Sequence, residues 1–190
     1  MIAKSFFNNP RAELCSQRDA LITMGGADPK NITELAINGL KMVGLKDVSV
    51  AIGSANMRHD AICALVPSTW RILEQGQFDF AAELAIHRIA LINGGVTRYE
   101  CAAIGTPFAA ISLHEYQASI TNRLVQDGFG FHLGIYNAIS AELIGAEIAK
   151  ILSSPKEHLV NMSKSGPSLV PLSGAENIVS AIEENMEVSR

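Results

Sequence analysis

The stretch Leu91–Gln117, "LINGGVTRYECAAIGTPFAAISLHEYQ", decides the fold. An unbroken apolar run, "RIALING", stops at Gly94-Gly95. "VTRYECAAIG" then reads as a helix closed by Gly105, with Pro107 just beyond. "TPFAAISL" is a second unbroken apolar run, ending in the polar cluster "HEYQ". Apolar runs without polar alternation are strands buried on both faces, and a helix between two of them makes a parallel pair.

The same grammar extends outward. "DALITMGG" reads as a buried strand ending at Gly25-Gly26, and "DVSVAIG" as the next. Between them, Ile32, Leu35, Ala36, Gly39, Leu40 and Val43 fall at helical spacing, and Gly44 ends that helix. Asp28 before Pro29 offers a cap for it, and Asn31 with Glu34 a second. "MRHDAICALVP" and "DFAAELAIH" read as helices, and "TWRILEQ" as a short strand or loop. "YQASITNRLVQDG", "AISAELIGAEIAKILSS", "KEHLVNMSK" and "GAENIVSAIEENM" make the remainder mostly helical. The expectation is a doubly wound, Rossmann-like α/β domain over residues 20–190, preceded by an arm or interdomain linker over 1–19. In such sheets ligands sit outside the carboxyl ends of the strands, where both double glycines and "HEYQ" fall.

Composition narrows the ligand. The 190 residues carry a formal charge of −4 and no long basic run, which argues against a nucleic-acid partner. No apolar stretch approaches the roughly 20 residues of a membrane span, and "MIAKSFFNNPRAE" lacks a signal-peptide core, so a cytoplasmic protein is expected. Cys15, Cys63 and Cys101 fit no metal-binding spacing and no disulfide framework. "GGADPKN" lacks the Gly-Lys-Ser/Thr of a P-loop, and neither double glycine belongs to a G-x-G-x-x-G fingerprint. No Asp/Glu metal cluster stands at the strand ends, so the ligand site is expected to need no metal and no cofactor.

A strand, a double glycine and a helix start still suit a phosphate. Glycines let it approach the backbone, and the free amides and helix dipole favour negative charge. A diphosphate fits over Gly94, Gly95, Val96 and Thr97, with Glu100 one turn on and able to accept from a ribose diol. Thr97-x-x-Glu100 is equally a capping box, with Thr97 as the cap. Spacing alone leaves both readings open. His114 is a candidate for a polar contact with the ligand. His59, His87 and His158 read as surface or capping residues, and His132 as part of an extended segment beside the sheet. Phe129, Phe131 and Trp70 read as core.

"LITMGGADPKN", "INGGVTRYECAAIGTPFAAISLHEYQ" and the tail "NMSKSG…LSGAENIVSAI" together resemble the carboxyl-terminal domain of GT-B-fold nucleotide-sugar enzymes. The nearest type is the UDP-sugar hydrolase of pseudaminic acid biosynthesis, with its spore-coat polysaccharide relatives. The peptidoglycan enzyme that transfers GlcNAc to lipid I is a more distant likeness. The resemblance implies that Glu100 binds the ribose and that Thr97 with Gly94-Gly95 faces the diphosphate. It also implies that Gln117 approaches the sugar and that Gly25-Gly26 closes the other side of the phosphates. The uracil would lie around Gly76 to Phe80, with Phe78 and Phe80 as base contacts. The ligand implied is a UDP-sugar, and the partner implied is an amino-terminal α/β domain carrying the acceptor site and the catalytic base. The sequence departs from the family pattern at Tyr99 for Trp, at Gly105-Thr106-Pro107 for Gly-Leu-Pro, and at Tyr116-Gln117 for Asn-Gln. The alternative is a non-catalytic module that binds a nucleotide sugar or a partner protein.

Overall fold

The unbroken apolar runs become the strands of one parallel sheet. The computed structural model describes residues 2–9, 11, 18–74, 76–171 and 173–188, so Cys15 and part of the arm lie outside the described residues. The strands are β1 (Arg18–Thr23), β2 (Val48–Ile52), β3 (Arg71–Glu74), β4 (His87–Asn93), β5 (Phe108–Ser112) and β6 (Phe131–Ile135). Their order is β3-β2-β1-β4-β5-β6, and every pairing is parallel. The chain winds outward from β1 through α2 (Ile32–Met42) and α3 (His59–Leu65) to β3. It then returns through α4 (Phe80–Ile86) to place β4 beside β1. From there it winds the other way through α5 (Thr97–Ile104) and α6 (Glu115–Gln126), and α7 (Ala141–Ser153), α8 (Lys156–Leu169) and α9 (Gly174–Val188) follow β6. The reversal between β1 and β4 leaves a crevice at their carboxyl ends.

Strand alternation sends successive side chains to opposite faces, so each central strand feeds two cores. Ile22, Ile89, Leu91 and Ile111 pack on one face with Ile37 and Leu40 of α2 and Ile144 and Ile148 of α7. Leu21, Ala90, Ile92 and Phe108 pack on the other with Leu84, Cys101, Ala102 and Met162. That face also takes the arm. A short helix, α1 (Ser5–Asn8), buries Phe6 edge-on against Phe80, with ring centroids 6.2 Å apart. Arg11 donates to the carbonyls of His87 and Arg88 and to Thr106 Oγ1.

Several local expectations are corrected. "TWRILEQ" resolves to a strand, β3, on the open edge of the sheet. His132 is inside the sheet rather than beside it, on edge strand β6, where Gly130 and Gly134 at positive φ hide the strand pattern. His87 is not a surface residue but does cap, closing α4 with its amide on the Leu84 carbonyl. It opens β4 fully buried, with its ring nitrogens 2.6 Å from the Glu83 carbonyl and 2.9 Å from Ser49 Oγ. Burial lowers its pKa, the largest effect on that ring. At the start of α2 both carboxylate oxygens of buried Asp28 accept, from Ile32 at 3.0 Å and Thr33 at 2.8 Å. Asn31 supplies no side-chain cap, and Glu34 pairs instead with Arg58. The α8 helix runs past "KEHLVNMSK" to Leu169, and β1 begins at Arg18, two residues before the expected domain start.

Candidate functional site

β1 and β4 each end in a double glycine because the chain must turn sharply at the sheet edge. Gly25 turns with φ +82°, a conformation that suits glycine. Asn93, the last residue of β4, ties the two turns together. Its Nδ2 donates to the Met24 carbonyl at 2.9 Å, and its Oδ1 accepts from the Gly95 amide at 3.1 Å. Gly53, just beyond β2, supports the first turn from behind. A Cβ there would stand 2.3 Å from the Gly26 carbonyl oxygen. The sequence reading missed both residues. The signal available for Asn93 was its position directly before Gly94-Gly95.

The first of these turns borders a cavity of about 330 Å³ at the carboxyl ends of the strands, whose lining includes none of Gly94, Gly95, Val96 and Glu100. Thr23, Gly25 and Gly26 form one side, Ala51, Ile52 and Gly53 the floor, and Gly76, Phe78 and Phe80 a further wall. Thr97 closes it from the start of α5. Five expected site residues, Gly25, Gly26, Phe78, Phe80 and Thr97, therefore line one space. Phe78 and Phe80 meet edge to face, with centroids 6.3 Å apart.

The rim is polar and its charge is unusual. α5 starts at Thr97, and Val96 before it is helical in φ and ψ, mostly exposed, and provides no side-chain cap. Thr97 is thus the first helical residue, not the N-cap that a capping box requires. Burial of Glu100 raises its carboxyl pKa, and the neighbouring Thr97 side chain only partly offsets this. The Tyr99 amide donates to the Val96 carbonyl at 2.8 Å, and with no side-chain cap the Thr97 and Arg98 amides are left for solvent or a ligand. Arg98 lies buried beneath them, donates to the Gly94 carbonyl, and stacks over Tyr99 at 4.7 Å. Among the described residues its Nε has no hydrogen-bond partner. A cation at a helix start opposes the dipole, so this end carries positive potential beyond that of the helix alone.

The "HEYQ" cluster is separate from the cavity lining. His114 caps α6, with Nδ1 3.4 Å from the Gln117 amide, and its ring stacks loosely on Tyr116. Gln117 reaches back to the strand end, where its Oε1 accepts from the Leu113 amide at 2.8 Å. Its side chain also abuts Gly94: a Cβ on that glycine would stand 3.0 Å from the Gln117 Cβ. Ser112 completes this corner and is held by His132 Nε2 at 3.1 Å. Gln117 is thus next to the second glycine turn, whereas His114 does local capping.

No helix among the described residues is long and apolar enough to cross a membrane. No family model matches the sequence. The chain is 25% identical over 175 residues to the spore coat polysaccharide biosynthesis protein SpsG of Bacillus subtilis (strain 168), an alignment covering 90% of this chain and 51% of SpsG. Among solved structures, MurG of Acinetobacter baumannii superposes with a TM-score of 0.77 at 14% identity, over 94% of this chain and 55% of that one. The spinosyn rhamnosyltransferase SpnG, solved with thymidine diphosphate, gives 0.68 at 20% identity, over 92% and 46%. The chain spans about half the length of each. It is therefore a homologue of SpsG across half of that protein, with the Rossmann-like α/β fold found in GT-B glycosyltransferases.

Proposed function

We propose that this chain is the nucleotide-sugar-binding half of a GT-B-type enzyme of surface-polysaccharide or nonulosonic acid biosynthesis, corresponding to the carboxyl-terminal domain, with a UDP-sugar as ligand. The observation that carries the reading is the cavity at the β1/β4 reversal, where Gly25-Gly26 faces the uncapped start of α5. In this reading the diphosphate lies against Gly94, Gly95, Val96 and Thr97, within the positive potential of the α5 amides and Arg98. Glu100 accepts two hydrogen bonds from the ribose diol. The base lies by Phe78 and Phe80, and the sugar extends toward Gln117. A name that speaks of polysaccharide biosynthesis for SpsG and a thymidine diphosphate complex for SpnG support the ligand class.

Chemistry at such a half is electrostatic. Preorganised amides stabilise the charge that grows on the leaving diphosphate as the anomeric C–O bond breaks. Among the described residues that line the cavity, none carries a titratable side chain. The base and the acceptor site, for water in a hydrolase or a hydroxyl in a transferase, then belong to a second α/β domain.

Titration calorimetry with UDP, AMP and NAD, each with and without EDTA, tests this. UDP binds more tightly than AMP or NAD by about tenfold, or roughly 1.4 kcal/mol, and keeps that affinity in EDTA. A strict Mg²⁺ requirement, or equal affinity for all three, contradicts the reading.

A further inference from the structure

On the open edge of the sheet, where Glu74 pairs with cavity-lining Ile52 but is not itself part of the lining, three side chains with metal-ligand chemistry converge. His59 opens α3, Cys63 follows one helical turn later on the same face, and Glu74 ends β3. His59 Nε2 lies 3.2 Å from Glu74 Oε1, and Cys63 Sγ lies 3.8 Å from the ring. All three donor atoms fall within 4.8 Å of one another. A tetrahedral zinc ion with ordinary Zn–N, Zn–O and Zn–S bonds spaces its donors by roughly 3.3–3.6 Å, so small side-chain adjustments suffice. The other ring nitrogen, Nδ1, is 3.3 Å from Asp60 Oδ1. That is the carboxylate–histidine arrangement that fixes the tautomer and aims Nε2 at a metal.

We propose that His59, Cys63 and Glu74 form a zinc-class metal site that fastens the start of α3 to the end of β3. A simple His59–Glu74 ion pair accounts for two of the groups, while Cys63 packs partly buried against the core and turns its sulfur to the His59 ring. A divalent cation takes Cys63 as the thiolate, releasing its proton. The mixed nitrogen, sulfur and oxygen set selects a borderline ion over Mg²⁺ or Ca²⁺, which prefer all-oxygen shells. His59 and Glu74 are 40% and 45% exposed, so an ion can enter from solvent, and water fills the fourth position.

The sequence reading passed over this site because it weighed cysteine spacing and carboxylate clusters at the strand ends separately. The signal is split between an i, i+4 His–Cys pair and a glutamate on the neighbouring strand end.

The test uses the whole chain, stripped with EDTA and desalted, then titrated with Zn²⁺ against a chromogenic chelator and with Co²⁺ by absorption spectroscopy. Binding saturates at one ion per chain, and Co²⁺ gives a thiolate charge-transfer band. Cys63→Ser abolishes the band and Cys15→Ser keeps it. His59→Ala and Glu74→Gln weaken zinc binding by roughly 100-fold or more, and Asp60→Asn, which leaves every ligand in place, by about tenfold. Circular dichroism melts confirm that each metal-free variant is folded. Absence of saturable binding at micromolar Zn²⁺, or a band that survives Cys63→Ser, overturns the proposal. Because no nucleotide enters this assay, its outcome is independent of the UDP-sugar reading.

Discussion

At Glu100, burial raises the carboxyl pKa above its ordinary value, and the neighbouring Thr97 side chain does not fully restore it. The folded value therefore exceeds the unfolded one. The favourable contribution is complete below the unfolded pKa and is lost as pH rises through the folded pKa, so at neutral pH the ionised carboxylate opposes folding. Glu100→Gln removes this opposition. The expected result is a melting temperature at least equal to wild type at neutral pH, with no gain well below the carboxylate range. The same variant loses ribose recognition, weakening UDP binding by about 1.5–3 kcal/mol, the range for hydrogen bonds to a charged group. Paired melts across pH, with and without UDP, check both parts. If Glu100 serves only the helix, the variant melts lower and binds UDP unchanged.

Two glycines set how closely the elements above this site's sheet face pack. α2 and α7 cross at Gly39 and Gly145, where a Cβ on Gly145 would stand 2.4 Å from the Gly39 carbonyl oxygen. Neither helix can yield without moving Ile37, Leu40, Ile144 and Ile148, which share one core. Gly145→Ala gains about 1 kcal/mol of helix propensity, yet overpacking at a backbone contact costs about 1–3 kcal/mol. A net loss of stability is expected in urea denaturation, with UDP affinity per folded molecule unchanged, because the crossing is remote from the cavity lining. An unchanged midpoint would mean that the helices separate easily.

Across the whole molecule, the sequence is most legible where the signal is local. Unbroken apolar runs marked the central strands, and the double glycines marked their carboxyl ends. The positions of Gly25, Gly26, Phe78, Phe80 and Thr97 around one cavity follow from strand order, because β1 and β4 end side by side. What stayed hidden depends on pairing across the sheet. Asn93 matters because Met24 lies beside it on the neighbouring strand, and Gly53 because the Gly25-Gly26 turn rests on it. His87 reads as surface or cap, and its burial becomes plain only when Ser49 of β2 and the Glu83 carbonyl are found around its ring.

The same view of the molecule bears on turnover. With no titratable side chain on the cavity lining among the described residues, the chain alone is expected to release no appreciable UDP from a panel of UDP-sugars, even at high concentration. Multiple turnovers lost on His114→Ala would place the base in the "HEYQ" cluster. The central claim, that a pyrimidine nucleoside diphosphate binds between the two glycine turns, is met most directly by titrating UDP into the ¹⁵N-labelled chain and following the amide resonances. The account predicts saturable shifts concentrated at Gly25, Gly26, Gly95, Thr97 and Glu100, unchanged by EDTA. Shifts confined to other surfaces, or none at saturating UDP, would contradict it.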